Sequence, residues 1–235
     1  MKNLKFNIVV FLFFGWFTSA IGQDTTFVLR NLNKNYYQAI FIDSNSDWKY
    51  FKNLKQFSMH GVDSLAYSIS VQEEIKHYKK TIRHSIIDSL FPKVWYQLNS
   101  YQNRLYLYEP NDNGFNTNKV LSDSSLINFN MDGPYVLLLD SIKQESKTDI
   151  HLYVKSYYTA DADIISIYIL DWEKKIALFD YHNPFAENRY RLMVAAETSN
   201  LIPVIVNYSK FQKGREFQFE SIDFKPFLIQ LGLSK

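Results

Sequence analysis

From residue 104 onward, apolar residues recur at every second position in a series of short segments. Arg104 to Tyr108 places Leu105 and Leu107 on one face and two tyrosines on the other, which is the period of a β-strand. The connectors between the segments are short and polar, which favours an antiparallel meander. One earlier strand is predicted at 36–42. The later strands are predicted at 104–108, 135–142, 150–156, 164–171, 176–182, 190–197, 203–208 and 215–222.

The longest helical pattern precedes this series, at about 71–91. Its apolar residues recur every three or four positions, from Ile75 to Leu90, and Pro92 marks its end. A shorter helix is expected after Ser46 or Asp47, and another is opened by Pro226. We therefore expect an α+β fold, in which an N-terminal helical segment packs on a long antiparallel meander.

The faces of the predicted strands differ. The segment 164–170 is apolar on both sides except at Ser166, which indicates that both of its faces are covered. The segment 215–222 alternates, with Phe217 and Phe219 on one side and polar residues on the other. A strand covered on both faces fits either a strongly curved sheet under a helix or a barrel with a filled interior.

The first 22 residues have the layout of a secretory signal peptide. Lys2 and Lys5 precede the apolar run from Ile8 to Phe17, and Ala20-Ile21-Gly22 supplies small residues at the cleavage site. Cleavage after Ala20 is the alternative. The run is too short for a spanning helix, which needs roughly 17–25 apolar residues. We expect residues 1–22 to be removed and residues 23–235 to form one exported domain, either periplasmic or secreted.

Charge and cysteine content exclude several classes of partner and of chemistry. Loss of the two leader lysines reduces 26 basic residues to 24, which equals the number of acidic residues. A chain with no net charge has no general attraction to nucleic acid, so none is predicted as a partner. The chain has no cysteine, which excludes disulfides, thiol catalysis and lipid attachment to a cysteine. No membrane anchor is therefore expected after cleavage.

The usual catalytic motifs are missing. The glycines after the leader are widely spaced, which excludes phosphate-binding loops, dinucleotide fingerprints and the nucleophile elbow. Glu74 and His77 form one E-x-x-H pair, but a di-iron site needs two such pairs. His84 and Asp88 form only a local helical pair. No metal or cofactor is predicted, and a role other than catalysis is favoured.

Two histidines lie on predicted strands. His151 lies opposite the apolar side of its strand and is expected at the surface, while His182 lies at a strand end. Strand ends commonly carry functional groups, so His182 is the first candidate for acid–base chemistry. Neither histidine has an identifiable nucleophile partner, and the catalytic and ligand-binding residues remain unassigned. The acidic residues at 161, 163, 171 and 173 lack the spacing that would define a glycosidase pair or a calcium loop.

The order of one strand, two helices and a long meander resembles helix-and-sheet ligand carriers. Lipocalin-type barrels are a second resemblance, whose N-terminal Gly-x-Trp signature this chain lacks. Aromatic residues make up 17% of the chain, which suits β-strands and also suits a ligand cleft. The leading hypothesis is an exported binding protein that holds a small apolar molecule, a glycan or a protein partner. The alternatives are an extracytoplasmic hydrolase using Asp, Glu and His, and an outer-membrane-associated barrel.

Overall fold

The computed structural model describes most of the chain after residue 25. The described residues are 26–33, 36–44, 68–69, 72–73, 76, 90–111, 118–130, 133–156, 159–182, 189–210 and 214–233. The leader and its cleavage site lie outside them. So does the expected helix after Ser46.

Eight strands form a closed antiparallel barrel. Its meander runs through consecutive neighbours from β6 to β12, and β3 closes the barrel between β12 and β6. The barrel strands are β3 (Val94–Gln97), β6 (Lys119–Leu121), β7 (Ser125–Asn130), β8 (Gly133–Gln144), β9 (Asp149–Ser156), β10 (Thr159–Asp171), β11 (Ile176–Tyr181) and β12 (Tyr190–Ala195).

A second sheet of five strands has the order β1-β2-β13-β5-β4. Strands β13 and β5 pair in parallel, while the other neighbours are antiparallel. Strands β4 and β5 are joined by Gln102 and Asn103, both with positive φ, as a two-residue hairpin of type I′ requires. The strands are β1 (Thr26–Asn33), β2 (Tyr36–Asp43), β4 (Asn99–Tyr101), β5 (Arg104–Glu109) and β13 (Val204–Lys210).

The barrel interior is filled by large apolar side chains. Trp95 is completely buried and packs edge-on against Phe179, with the ring centroids 5.4 Å apart. The Trp95 indole N–H donates to the carbonyl of Pro92 at 3.0 Å, so its one polar atom is satisfied. Leu152, Ile167 and twelve further buried residues complete this cluster. The barrel is therefore a packed core over most of its length.

The outer face of one side of the barrel is equally apolar. Tyr96 and Leu178 alternate with the interior residues of their strands and pack against Phe41, Leu107 and other side chains of the second sheet. Strands β3, β11 and β12 are thus covered on both faces. This contact joins the barrel and the second sheet into one two-layer unit.

The C-terminal residues cover what remains of the second sheet. Phe217 and Phe219 pack with Tyr101 and Tyr108 on the face turned away from the barrel. Beyond them, helix α1 (Lys225–Gln230) begins with Pro226 in its first turn, as expected from the sequence. The other helix with described bounds is a 3₁₀ helix at Ala196–Leu201.

The expected α+β class is wrong. The fold is mostly β, with a closed barrel of eight strands and no long N-terminal helix packed on a sheet. Most of the predicted helix at 71–91 lies outside the described residues, and the helical residues described nearby are exposed. Phe91, expected at the end of that helix, is buried in the barrel interior. Its apolar character reflects the barrel core rather than a helical face.

The period-two segments from 36 to 42 and from 104 to 208 are confirmed as strands, and the covered segment 164–170 has the two buried faces expected of it. The segment 215–222 is a correction. It has no strand and makes one isolated bridge, between Ser100 and Glu220, although Phe217 and Phe219 do share an apolar face. Five strands escaped prediction, because elements of three to eight residues with irregular patterns show no clear period: β1, β3, β4, β6 and β7.

Trp95→Ala should destabilise the fold strongly, because it leaves a cavity at the centre of the barrel. We expect a loss of about 3–5 kcal/mol in the free energy of unfolding, measured by chemical denaturation. Trp172→Ala is the matched control, since Trp172 is 41% exposed in the β10–β11 turn. Equal effects of the two substitutions would show that Trp95 is not a core residue.

Candidate functional site

The barrel interior changes from apolar to polar toward one end. Directly paired residues of neighbouring strands face the same side of a sheet. Lys119 pairs with Trp95, and Arg191 pairs with Phe179, so both cationic residues occupy interior positions. Tyr181 pairs with Ile165 and therefore also occupies an interior position. Two more polar residues, Gln97 and Asn128, pair with interior residues at this level of the barrel.

We call Gln97, Lys119, Asn128, Tyr181 and Arg191 the polar end. These residues come from five of the eight barrel strands. Residues 112–117, 131–132 and 183–188 are outside the described part of the chain. The opposite end carries Phe91 and Ala195 and is apolar.

Lys119 is the most unusual member of the polar end. Its residue exposure is 5%, and its ammonium group donates to the side-chain oxygen of Asn128. Its Nζ lies 5.3 Å from the centroid of the Tyr181 ring, within cation–π range. Burial, together with the positive charge of Arg191, lowers the pKa of Lys119 to about 7. This is the expected response of a desolvated ammonium without a counterion.

Arg191 supplies the second cation. Its Nη1 donates to Oε1 of Gln97 at 2.9 Å, which is a neutral acceptor. Among the side chains that the structure describes, no carboxylate lies within ion-pair distance of Arg191 or Lys119. Two buried or half-buried cations therefore share one end of the barrel without a described anion.

Tyr181 lies beside Lys119 and packs against the apolar core. Its hydroxyl group is buried and has no hydrogen-bond partner among the described residues. Burial raises the pKa of Tyr181, so the group stays protonated and can donate at neutral pH. A buried polar group is normally paired, and an unpaired one indicates a missing partner.

A cleft of about 190 Å³ opens beside the polar end. It lies between β3, β12 and the C-terminal segment, and both Gln97 and Arg191 line it. Tyr190, Phe219 and Phe224 provide aromatic walls, and Glu220 adds one carboxylate. Arg191 therefore borders this cleft, whereas Lys119 is not among its lining residues.

No protein family, curated protein or solved structure matches this chain. The functional argument therefore depends on the geometry of the site. Within the described part of the chain, no helix has the length and apolar character needed to cross a membrane.

The histidines singled out from the sequence form a separate cluster on the outer face of the barrel. Nδ1 of His151 lies 2.7 Å from the Ser166 hydroxyl oxygen, and Nε2 of His182 lies 2.9 Å from the same atom. Asp149 and Asp180 each lie 3.4 Å from one imidazole. The structure thus brings His151 and His182 together through a serine that sequence reasoning had not paired with them.

This serine–histidine cluster resembles a hydrolytic site in composition but not in access. Ser166 is fully buried, so its hydroxyl oxygen cannot reach a carbonyl carbon of a bound substrate. A hydroxyl has one proton, so Ser166 donates to one imidazole and accepts from the other. Asp180 also makes a bidentate ion pair with Arg189, at 2.7 and 3.0 Å. These contacts favour a structural network that ties β9, β10 and β11 together.

The remaining sequence candidates do not converge. Glu74, His77, His84 and Asp88 lie outside the described residues. Asp171 and Glu173 lie in the β10–β11 turn, where Asp171 accepts from the backbone N–H of Lys174. No group of three metal-ligating side chains is found among the described residues. Asn207-Tyr208-Ser209 also matches the acceptor motif for N-linked glycans, but Asn207 is buried and hydrogen-bonded to Gln38, Tyr108 and Glu216.

Sequence reasoning missed the polar end altogether. The sequence pattern that could have revealed it is weak, because Lys119 lies in a three-residue strand and Arg191 is a single cation in an otherwise apolar strand. Strand alternation identifies Arg191 as a residue of the same face as Met193, an argument that requires knowing which face is internal.

Lys119→Met should stabilise the protein, because it removes the cost of burying an amine. The pKa of Lys119 is lower in the folded than in the unfolded state, so wild-type stability rises with pH between about 7 and 10.5. The advantage of the variant should therefore be largest below pH 7, at about 1–4 kcal/mol, and should shrink by pH 9.5. Chemical denaturation at pH 6, 8 and 9.5 measures it. A pH-independent difference would contradict the burial of a titrating amine.

Ser166→Ala should cost about 1–3 kcal/mol in the free energy of unfolding, since it leaves two imidazoles without their shared partner. The exposed Ser141 provides the control variant, Ser141→Ala, with an expected effect within about 0.5 kcal/mol. Indistinguishable unfolding curves for the two variants would remove the structural role of this cluster.

Proposed function

We propose that the protein binds a small molecule bearing an anionic group, at the polar end of its barrel. The observation that carries this proposal is the pair of cations, Lys119 and Arg191, inside an apolar barrel with no described carboxylate beside them. A carboxylate or phosphate group between them supplies the missing negative charge.

Electrostatics gives the physical reason. Two like charges in a region of low dielectric constant repel each other, and each loses hydration on burial. An anion bound there accepts charge-assisted hydrogen bonds from Lys119 and Arg191. The unpaired hydroxyl of Tyr181 is a further donor. The arrangement destabilises the empty protein and is compensated by a ligand, as is common in binding sites.

The packing of the barrel limits the rest of the ligand. Below the polar end, Trp95, Phe179 and Met193 fill the interior. A long hydrocarbon chain therefore does not fit along the barrel axis. The proposed ligand enters with its anionic group first and keeps its apolar or aromatic part near Tyr181 and the cleft beside Arg191. This refines the broader expectation of an apolar small molecule, a glycan or a protein partner.

Export remains part of the proposal. The layout of residues 1–22 predicts a cleaved signal peptide, and N-terminal sequencing of the exported protein tests it. A first residue at Gln23, or at Ile21 for the alternative cleavage site, supports export. An intact Met1 on protein from the cytoplasm contradicts it.

The outer-membrane alternative is less well supported by the architecture. Outer-membrane barrels turn an apolar band outward and keep a polar interior. Here the large apolar residues Trp95 and Phe179 face inward, and one outer side is covered by the second sheet. The hydrolase alternative lacks an accessible nucleophile in the serine–histidine cluster.

Benzoate should bind the wild-type protein, whereas benzamide and benzylamine should not bind measurably under the same conditions. Arg191→Gln should weaken benzoate binding by about 10- to 100-fold, the effect of losing one charge-assisted hydrogen bond. Isothermal titration calorimetry at low salt gives the affinities. Arg104→Gln is the matched control, since Arg104 is exposed at the β4–β5 hairpin.

Affinity should also depend on pH. A bound anion favours protonated Lys119, so benzoate affinity should fall as the pH rises through about 7. Equal binding of benzoate, benzamide and benzylamine would refute the proposal.

A further inference from the structure

The amine of Lys119 has surroundings that differ from those of an ordinary structural lysine. A buried lysine is usually paired with a carboxylate, which keeps it charged. Among the described side chains, Lys119 instead contacts an amide oxygen of Asn128 and the ring of Tyr181, and the charged group that acts on it is the cation Arg191. None of these groups stabilises the ammonium form as a carboxylate does.

We propose that Lys119 is a nucleophilic amine that forms an imine with an aldehyde or ketone carrying an anionic group. The inference rests on the proposed function, because the anionic group places the ligand at the polar end. It goes further by assigning the chemical class of the ligand, an oxo acid or a carbonyl-bearing phosphate, and a covalent step.

The protonation state makes the amine competent. An ammonium ion has no lone pair, and an ordinary lysine is neutral in only about one molecule in a thousand at pH 7.5. Burial and the neighbouring charge of Arg191 lower the pKa of Lys119 to about 7, so more than half of the molecules carry a neutral amine at that pH. Desolvation and a nearby cation are the two means by which proteins activate a lysine nucleophile.

The step balances with groups already present. The Lys119 nitrogen lone pair attacks the carbonyl carbon, and the nitrogen loses a proton as the carbonyl oxygen gains one. The resulting carbinolamine loses its hydroxyl group and its remaining N–H proton together as one water molecule, which leaves a carbon–nitrogen double bond. No oxidant or reductant is needed, and addition of water reverses the reaction.

The neighbours of Lys119 have distinct roles in this step. Arg191 holds the anionic group of the ligand, and Asn128 accepts one N–H of the amine. The Tyr181 hydroxyl lacks a described partner and stays protonated at neutral pH, so it can donate to the carbonyl oxygen. These contacts give each neighbour a position suited to a reversible carbonyl site.

Reductive trapping tests the inference on the full-length folded protein. 4-Formylbenzoate carries both a carboxylate and an aldehyde, and sodium cyanoborohydride converts its imine into a stable secondary amine. Intact mass and peptide mapping should show one adduct, at Lys119, formed at least about tenfold faster than adducts at the exposed Lys93 and Lys174. Benzaldehyde, which lacks the carboxylate, should react at least about tenfold more slowly, and excess benzoate should suppress the reaction.

Variants separate a site from general lysine reactivity. Lys119→Met should remove the fast adduct while circular dichroism shows an intact fold. Arg191→Gln should slow trapping and move the midpoint of its pH profile upward, because a cation that lowers the amine pKa is lost. In the wild type the midpoint should lie at or above 7, since the ligand carboxylate partly offsets Arg191, and well below 10.5.

The outcomes distinguish this inference from the proposed function. Benzoate binding without preferential labelling of Lys119 overturns the imine site and leaves anion binding intact. Preferential labelling that benzoate does not suppress, with no benzoate binding by calorimetry, retains a reactive amine and removes the anion-binding function. Labelling of Lys119 that is no faster than that of Lys93 overturns the inference.

Discussion

The fold depends on burial of both faces of one side of the barrel. On β3, Trp95 points into the barrel while Tyr96 packs against the second sheet, and the same alternation holds on β11 and β12. One set of strands therefore contributes to two apolar cores at once. Removing either layer would expose a continuous apolar surface, so the barrel and the five-stranded sheet stabilise each other.

This packing also explains where polar chemistry is possible. Trp95, Phe179 and Met193 fill the interior, and the described polar residues at interior positions lie toward one end. The low dielectric constant of the adjoining core is what makes Lys119 unusual, because the same amine at the surface would keep its ordinary pKa. Burial beside the apolar core therefore sets the protonation state of Lys119.

The polar end and the serine–histidine cluster differ in how many of their polar and charged groups have partners. Around Ser166, two imidazoles, Asp180 and Arg189 offset one another, and the central hydroxyl is buried. Oδ1 of Asp149 lies 3.4 Å from His151 and has no hydrogen-bond partner among the described residues. At the polar end, the charge of Lys119 and the hydroxyl of Tyr181 have no matching partner among the described residues. The polar end differs because its unpaired hydroxyl adjoins a buried amine and a second cation, and this combination supports the proposed ligand site.

The sequence by itself determined the β-rich character of the chain after residue 104, the doubly covered segment 164–170 and the absence of cysteine chemistry, because period, apolarity and composition are local properties. It predicted an α+β class that the structure replaced with a barrel, since closure depends on pairing between β3 and β12, about a hundred residues apart. Only the tertiary structure placed Lys119 beside Arg191. Residues so far apart in the sequence cannot be assigned as neighbours from it, because the strand register brings them to one end of the barrel.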